Sequence, residues 1–204
     1  MTILSIRNLT KRFPGVVALK NINLDLEAGE VHALCGENGA GKSTLIKLMA
    51  GVHPAGSYEG EVFIDGQPAC FDTIADSEAA GIGVIYQELA LVPQMTVAEN
   101  IFLGDEPTRM GMIDWNRVYG ETQNLLNRYG IDLNPAARVA DLGIGEQQLT
   151  EIVKALAKHS RLLLLDEPTA ALTETEVEIL LRIVRDLSQQ GITCVYISHK
   201  LDEV

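Results

Sequence analysis

Residues 36–43 read Gly-Glu-Asn-Gly-Ala-Gly-Lys-Ser, a complete G-x-x-x-x-G-K-S pattern. It lies between an apolar run, Val31 to Cys35, and a helical pattern carrying Leu45, Leu48 and Met49. That strand–loop–helix frame separates a phosphate-binding loop from a Gly-rich turn before an ordinary helix. Gly36, Gly39 and Gly41 let the backbone curl so that successive N–H groups face a polyphosphate, and the following helix N-terminus adds its dipole. Lys42 supplies a point charge for the β- and γ-phosphates, and the Ser43 hydroxyl is a ligand for Mg²⁺. Glu37, Asn38, Ala40 and Thr44 complete the expected ATP-binding stretch.

The chain has 204 residues, enough for one well-cored domain with a small inserted subdomain. No stretch approaches the ~18 apolar residues that cross a bilayer, and the first residues lack a signal-peptide core. Cys35, Cys70 and Cys194 are odd in number and far apart, with no metal-ligand spacing, and read as buried thiols of a reducing compartment. The net charge of −12 argues against a nucleic-acid partner. Its distribution is uneven: residues 1–60 carry six basic and five acidic residues, and residues 61–140 four basic and twelve acidic. The near-neutral part holds the phosphate loop, as a polyanion site requires; the acidic part reads as solvated surface.

Alternation predicts strands over Ile3–Ile6 and Ile22–Leu26, with Pro14-Gly15 turning between them. A strand over Gly60–Asp65 enters a hairpin at Asp65-Gly66, and a short apolar strand runs from Gly83 to Gln87. From Val97 to Lys158 helical spacing dominates; Leu149, Ile152, Val153 and Leu156 share one helix face. Arg161–Asp166 reads as a buried strand, Val177 to Leu187 as an amphipathic helix closed by Gly191, and Ile192–Ser198 as a last strand. The expected organisation is an α/β core formed by residues 1–87 and 160–204, with a mostly helical insertion over 88–159. A domain of this kind is expected to continue beyond residue 204.

Leu162 to Glu167 delivers two adjacent carboxylates at the end of a buried strand. Beside a phosphate loop, Asp166 is placed to hold Mg²⁺ and Glu167 to polarise an attacking water, where alone the pair would read as a turn. Gln87, at the end of its strand, can reach Mg²⁺ or that water. His199 follows the last strand, where an imidazole can touch a γ-phosphate. Phe13 before Pro14-Gly15 offers a ring for a purine, against the alternative of a core aromatic.

These motifs, with Leu142-Gly143-Ile144-Gly145-Glu146 before a helix and the Ala170-Ala171-Leu172-Thr173 loop, resemble the nucleotide-binding domain of ABC transporters. The resemblance covers Ile3 to Val204. It is most similar to the first ATPase half of monosaccharide importers, those for D-xylose in particular, through Tyr86 to Val92, Asn100 to Gly104 and Ile197 to Leu201. The resemblance implies a P-loop NTPase core, a mixed sheet flanked by helices, with an N-terminal antiparallel β subdomain and a helical insertion. It implies an Mg²⁺-dependent ATPase with Glu167, His199 and Gln87 as catalytic groups and Ser43, Gln87 and Asp166 at the metal. It also implies a head-to-tail ATP sandwich with a second ATPase half, in which the loop Gly143, Ile144, Gly145 and Glu146 covers the partner's ATP. Transmembrane permease subunits and, indirectly, a periplasmic sugar-binding protein would be further partners, at the cytoplasmic face of the bacterial inner membrane.

The sequence departs from the family pattern at this signature loop, where Gly143 and Ile144 stand for Ser and Gly and Glu146 for Gln, and at Thr173, where Asp is usual. Two other classes compete. A soluble ATPase of the same family acting on ribosomes or DNA would carry basic arms or long coiled-coil insertions. A small phosphate-loop kinase would need an Arg-rich lid, whereas Arg109, Arg117 and Arg128 follow no lid pattern.

Overall fold

The computed structural model describes every residue except 38, 159, 171 and 199–204. The chain divides into two compact units, one formed by Met1–Val84, Ser160–Glu167 and Val184–Val204, the other by Ile85–His159 and Pro168–Ile183.

In the first unit, β1 (Thr2–Phe13) and β2 (Val16–Glu27) form a long antiparallel hairpin linked by Pro14-Gly15. On its other edge β1 pairs antiparallel with β4 (Glu59–Ile64), which turns into β5 (Gln67–Ala69), giving the order β2-β1-β4-β5. The turn is Asp65-Gly66, with φ of 49° and 75°. Two left-handed residues in succession suit the right-handed twist of the flanking strands.

A second sheet has the order β3-β10-β9-β6, from β3 (Val31–Leu34), β6 (Ile82–Ile85), β9 (Leu162–Asp166) and β10 (Thr193–Ile197). β10 runs parallel to both β3 and β9. Every residue of β9 and β10 is buried, which is why they carry the runs Leu162–Leu165 and Cys194–Ile197 rather than alternations. Between β3 and β4, α1 (Lys42–Met49) buries Leu45, Ile46, Leu48 and Met49. Leu4, Ile6, Ile46, Leu164 and Val195 belong to one apolar cluster that joins both sheets and this helix. A short helix, α2 (Ile74–Ala79), is capped by a reciprocal Thr73–Asp76 box.

In the second unit α3 (Val97–Ile101), α4 (Trp115–Arg128) and α5 (Ile144–Ala157) pack on one another. Thr96 and Glu99 form a capping box at α3, and the Asp114 side chain accepts from the Arg117 N–H at α4. Between them lies a feature that helical spacing did not predict: a small hairpin, β7 (Thr108–Arg109) and β8 (Met112–Ile113). Its turn is Met110-Gly111 with φ of 52° and 79°. Met is a rare first residue for a left-handed turn, so the sequence lacks the Asn-Gly or Asp-Gly signal. The amphipathic helix is α6 (Glu174–Gln189), burying Leu180, Ile183, Val184 and Leu187.

Two local expectations are corrected. Cys35 and Cys70 are exposed and only Cys194 is buried, its thiol pushed up to about 12 by desolvation. The strand before Gln87 ends at Ile85, and Gln87 lies in an exposed bend two residues later.

Leu164 is fully buried at the centre of β9. Leu164→Ala is expected to cost about 2–5 kcal/mol, read as a lowered midpoint in thermal or denaturant unfolding.

Candidate nucleotide-binding site

β3 ends at Leu34 and α1 begins at Lys42, so residues 35–41 form the loop between them. Gly39 and Gly41 have φ of 84° and 94°, and Gly41 is the residue from which α1 starts. A Cβ on Gly41 would collide with the Ala18 carbonyl and the Leu19 side chain, so both conformation and space require glycine there. Gly36 does not adopt a positive φ, and its part in the curl is smaller than the motif suggests. The Ala40 N–H donates to the Glu37 carbonyl at 3.2 Å, closing the loop. Lys42 folds back over it, its Nζ donating to the carbonyls of Gly36 at 2.7 Å and Glu37 at 3.0 Å. Thr44 is half-buried on the first turn of α1, and Asn38 lies outside the described residues.

At the second residue of the helix, the Ser43 hydroxyl donates to Asp166 Oδ1 at 3.2 Å. Asp166 closes β9 and is 4% exposed. Burial pushes its carboxyl above the usual range; the Ser43 hydrogen bond pulls it down, the Glu167 charge raises it, and Lys47 and Lys42 lower it again. A desolvated carboxylate beside a hydroxyl, with another carboxylate next to it, is a set of hard oxygen donors that fits a divalent cation such as Mg²⁺.

Glu167 follows with φ of 49°, left-handed for a residue with a side chain, and its N–H is held by the Ile197 carbonyl at 3.2 Å. Backbone strain of this kind persists where neighbouring structure overdetermines it and concentrates at functional positions. It turns Glu167 out of the buried strand, and its side chain is only half-buried where that of Asp166 is covered.

Phe13 ends β1 with its ring 39% exposed. His53 packs edge-on at 5.5 Å, and Lys11 Nζ stands 5.1 Å from the ring centroid. Burial, with the charges of Lys11 and Lys47, holds the His53 imidazole below its usual range. Phe13 thus has one side engaged by the His53 ring and part of its surface free for a stacking partner.

Gln87 and the signature loop belong to the second unit. Gly143 is the N-cap of α5, and Ile144 is 64% exposed. The Gly143 N–H donates to Glu146 Oε2 at 2.8 Å, so Glu146 satisfies one helix-end amide that a side chain at Gly143 could not help to order. A Cβ on Gly145 would overlap the Glu176 carboxylate, whose Oε2 accepts from the Thr173 N–H and Oγ1 at 2.8 Å each. Thr173 is therefore the cap of α6, a role its family counterpart Asp would equally fill. Glu176 was not singled out by the sequence, although T-x-x-E at 173–176 is a capping-box signal. His199 and Ala171 lie outside the described residues.

A family model described as ABC transporter matches residues 19–170. The xylose import ATP-binding protein XylG of Thermoanaerobacter pseudethanolicus is 59% identical over 202 residues, covering 99% of this chain and 40% of that protein. The L-arabinose transport ATP-binding protein AraG of Geobacillus stearothermophilus is 52% identical, with 99% and 39% covered. The chain thus spans about two fifths of the length of these relatives. Among solved structures, a nucleotide-free ATP-binding cassette from an ABC transporter superposes with a TM-score of 0.85 at 26% identity, covering 100% of this chain and 84% of that one. A dimeric, post-hydrolysis ATP-binding cassette, MJ0796 bound to ADP and Pi, gives 0.83 at 25% identity, with 98% and 90% covered.

Asp166 carries a raised folded-state value, so its ionised form costs the folded chain stability above the unfolded value, a cost relieved as the pH falls. Asp166→Asn removes that cost. It is expected to raise the ligand-free midpoint at pH 7 in calorimetry while abolishing the Mg²⁺-dependent part of ATP binding in titration calorimetry.

Proposed function

The chain belongs to the ABC transporter family, and from that premise we propose that it binds and hydrolyses ATP to energise import of a monosaccharide, xylose or another pentose. The observation that carries the reading is the Ser43–Asp166 hydrogen bond, which joins the phosphate loop to the strand end bearing Glu167. The pentose assignment is supported by relatives named for xylose and arabinose transport.

ATP lies along residues 36–44, with its purine against Phe13. Lys42 leaves the Gly36 and Glu37 carbonyls for the β- and γ-phosphates, exchanging neutral acceptors for charged ones. Ser43, Asp166 and Gln87 would hold Mg²⁺, which when bound neutralises charge on the phosphate oxygens. Glu167 accepts a proton from the attacking water, Gln87 orients that water, and His199 contacts the γ-phosphate. Positioning and electrostatics carry most of such a reaction, so a preformed loop and a fixed carboxylate pair are its main protein contribution.

On this reading, residues 1–87 and 160–204 form the ATPase core and 88–159 the helical insertion. A second ATPase half completes the pocket head to tail through Gly143, Ile144, Gly145 and Glu146. Permease subunits receive the motion, a periplasmic sugar-binding protein delivers the sugar, and the ATPase sits peripherally at the cytoplasmic face of the inner membrane. Among the described residues no helix is long and apolar enough to cross a membrane.

Lys42→Ala is expected to weaken Mg²⁺-ATP binding by about one to two decades, the value of a hydrogen bond to a charged group. Glu167→Gln is expected to keep ATP bound and lose turnover. Equal binding of labelled ATP by wild type and Lys42→Ala would overturn the assignment, as would turnover per molecule that is fast and indifferent to dilution.

A Ser at 143 would complete an S-x-x-E box with Glu146 and bring a hydroxyl toward the partner's ATP. Gly143→Ser is expected to strengthen ATP-driven association roughly tenfold, measured by sedimentation of the complete protein with and without ATP. Unchanged association with a raised unfolding midpoint would assign the hydroxyl to the cap alone.

A further inference from the structure

Between Gln87 and α3 the backbone crosses an exposed stretch with little apolar anchorage: Gln87, Glu88 and Ala90 are exposed, and Leu89, Leu91 and Val92 only half-buried. Side chains from α3 and α5 hold it instead. Asn100, fully buried on α3, accepts from the Val92 N–H at 2.7 Å and donates back to the Val92 carbonyl at 3.0 Å. Lys154, on α5, donates from Nζ to the Ala90 carbonyl at 2.7 Å and faces Glu151 Oε1 at 3.6 Å.

The pair is nearly out of water, with side-chain exposures of 17% for Lys154 and 7% for Glu151. Burial pushes the Glu151 carboxyl up, and the Lys154 charge and hydrogen bonds from Lys154 and the Ala90 backbone only partly offset this. Among the described residues, Glu151 Oε2 and the neighbouring Gln148 Nε2 have no hydrogen-bond partner. Such a pair is a poor stability device, because well-packed apolar side chains of similar volume do as well or better. Its yield is geometric: a charged head held at one point under the Ala90 carbonyl.

We propose that Glu151 and Lys154 are positioning residues that pin the backbone after Gln87 to α5, and so tie the placement of the Gln87 amide to the helix that begins at the 143–146 loop. Glu151 desolvates with Lys154 and directs its ammonium; Lys154 makes the contact to Ala90. This rests on the reading of Gln87 as a catalytic group, but the tether itself does not need ATP to be observed.

The test compares Lys154→Met and the paired Glu151→Leu/Lys154→Met with wild type in the full-length protein. The paired change keeps the volume and removes both charges, so it remains informative where Lys154→Met alone leaves a buried carboxyl and folds poorly. Hydrogen exchange without nucleotide is expected to rise about tenfold at residues 88–91 in the paired variant, with the midpoint of unfolding at or above that of wild type. Turnover is expected to fall by one to two decades, as for a displaced catalytic group, with KM for ATP little changed. The loss should disappear in a Gln87→Ala background.

Unchanged exchange at 88–91 would overturn the proposal whatever the ATP data show, as would wild-type turnover in the paired variant. An equal loss of turnover with and without Gln87 would also overturn it. Raised exchange in a protein that binds ATP equally well with and without Lys42 would leave the tether standing and remove the ATPase reading instead.

Discussion

The hydrogen bond from the Ser43 hydroxyl to Asp166 Oδ1 joins residues 123 positions apart in sequence, and much of the first unit exists to make that distance short. Asp166 is where it is because β9 lies in parallel register with β10, Asp166 opposite Ile197, and β10 in turn with β3. Ser43 is where it is because α1 starts immediately after the loop that leaves β3. Buried apolar runs set the register, and the register sets a polar contact at the strand ends. Ligands of open α/β sheets gather at the carboxyl ends of strands, and β9 turns polar only there, at its last residue, Asp166.

Chemistry is bought here at the expense of stability. Asp166 keeps a carboxylate in a desolvated place, Glu167 holds a left-handed backbone, and Lys42 spends its charge on carbonyls that it would leave for phosphate. The first two are local departures from what the sequence around them would prefer, and they sit side by side at the end of β9. The apolar cluster through Leu4, Ile6, Ile46, Leu164 and Val195 is what tolerates them.

The parts of the molecule legible in the sequence are those governed by local chemistry with a sharp periodicity. The Asp65-Gly66 turn, the leucine run of β9 and the stripe of α6 follow from dipeptide conformation and residue spacing. The loop over 36–43 was legible because its glycines, lysine and serine are needed in one order, although only Gly39 and Gly41 take left-handed backbone among those named. What stayed hidden depended on tertiary context. The β7–β8 hairpin turns on Met110 in a conformation its residue type rarely adopts. The exposure of Cys35 and Cys70 reflects which strand ends face outward, not the thiol's preference for burial. The tethering of Ala90 by Lys154 joins residues 64 positions apart and has no periodic signature at all.

The loop at 142–146 shows why a departure from a family pattern need not be a loss of structure. Helix α5 needs its first amides satisfied whether or not anything binds there. With no side chain at Gly143, Glu146 reaches back to the Gly143 N–H, and Gly145 stays free of a Cβ because the Glu176 carboxylate, fixed by capping Thr173, fills that space. The same acidic groups bear on any phosphate brought to this face. An anion at the N-terminus of α5 gains from the helix dipole but meets the Glu146 carboxylate, which a Gln would not oppose. On the proposed reading, capping and phosphate recognition compete for one loop. The acidic cap secures the helix by itself, and its charge would oppose a phosphate brought to the same amides.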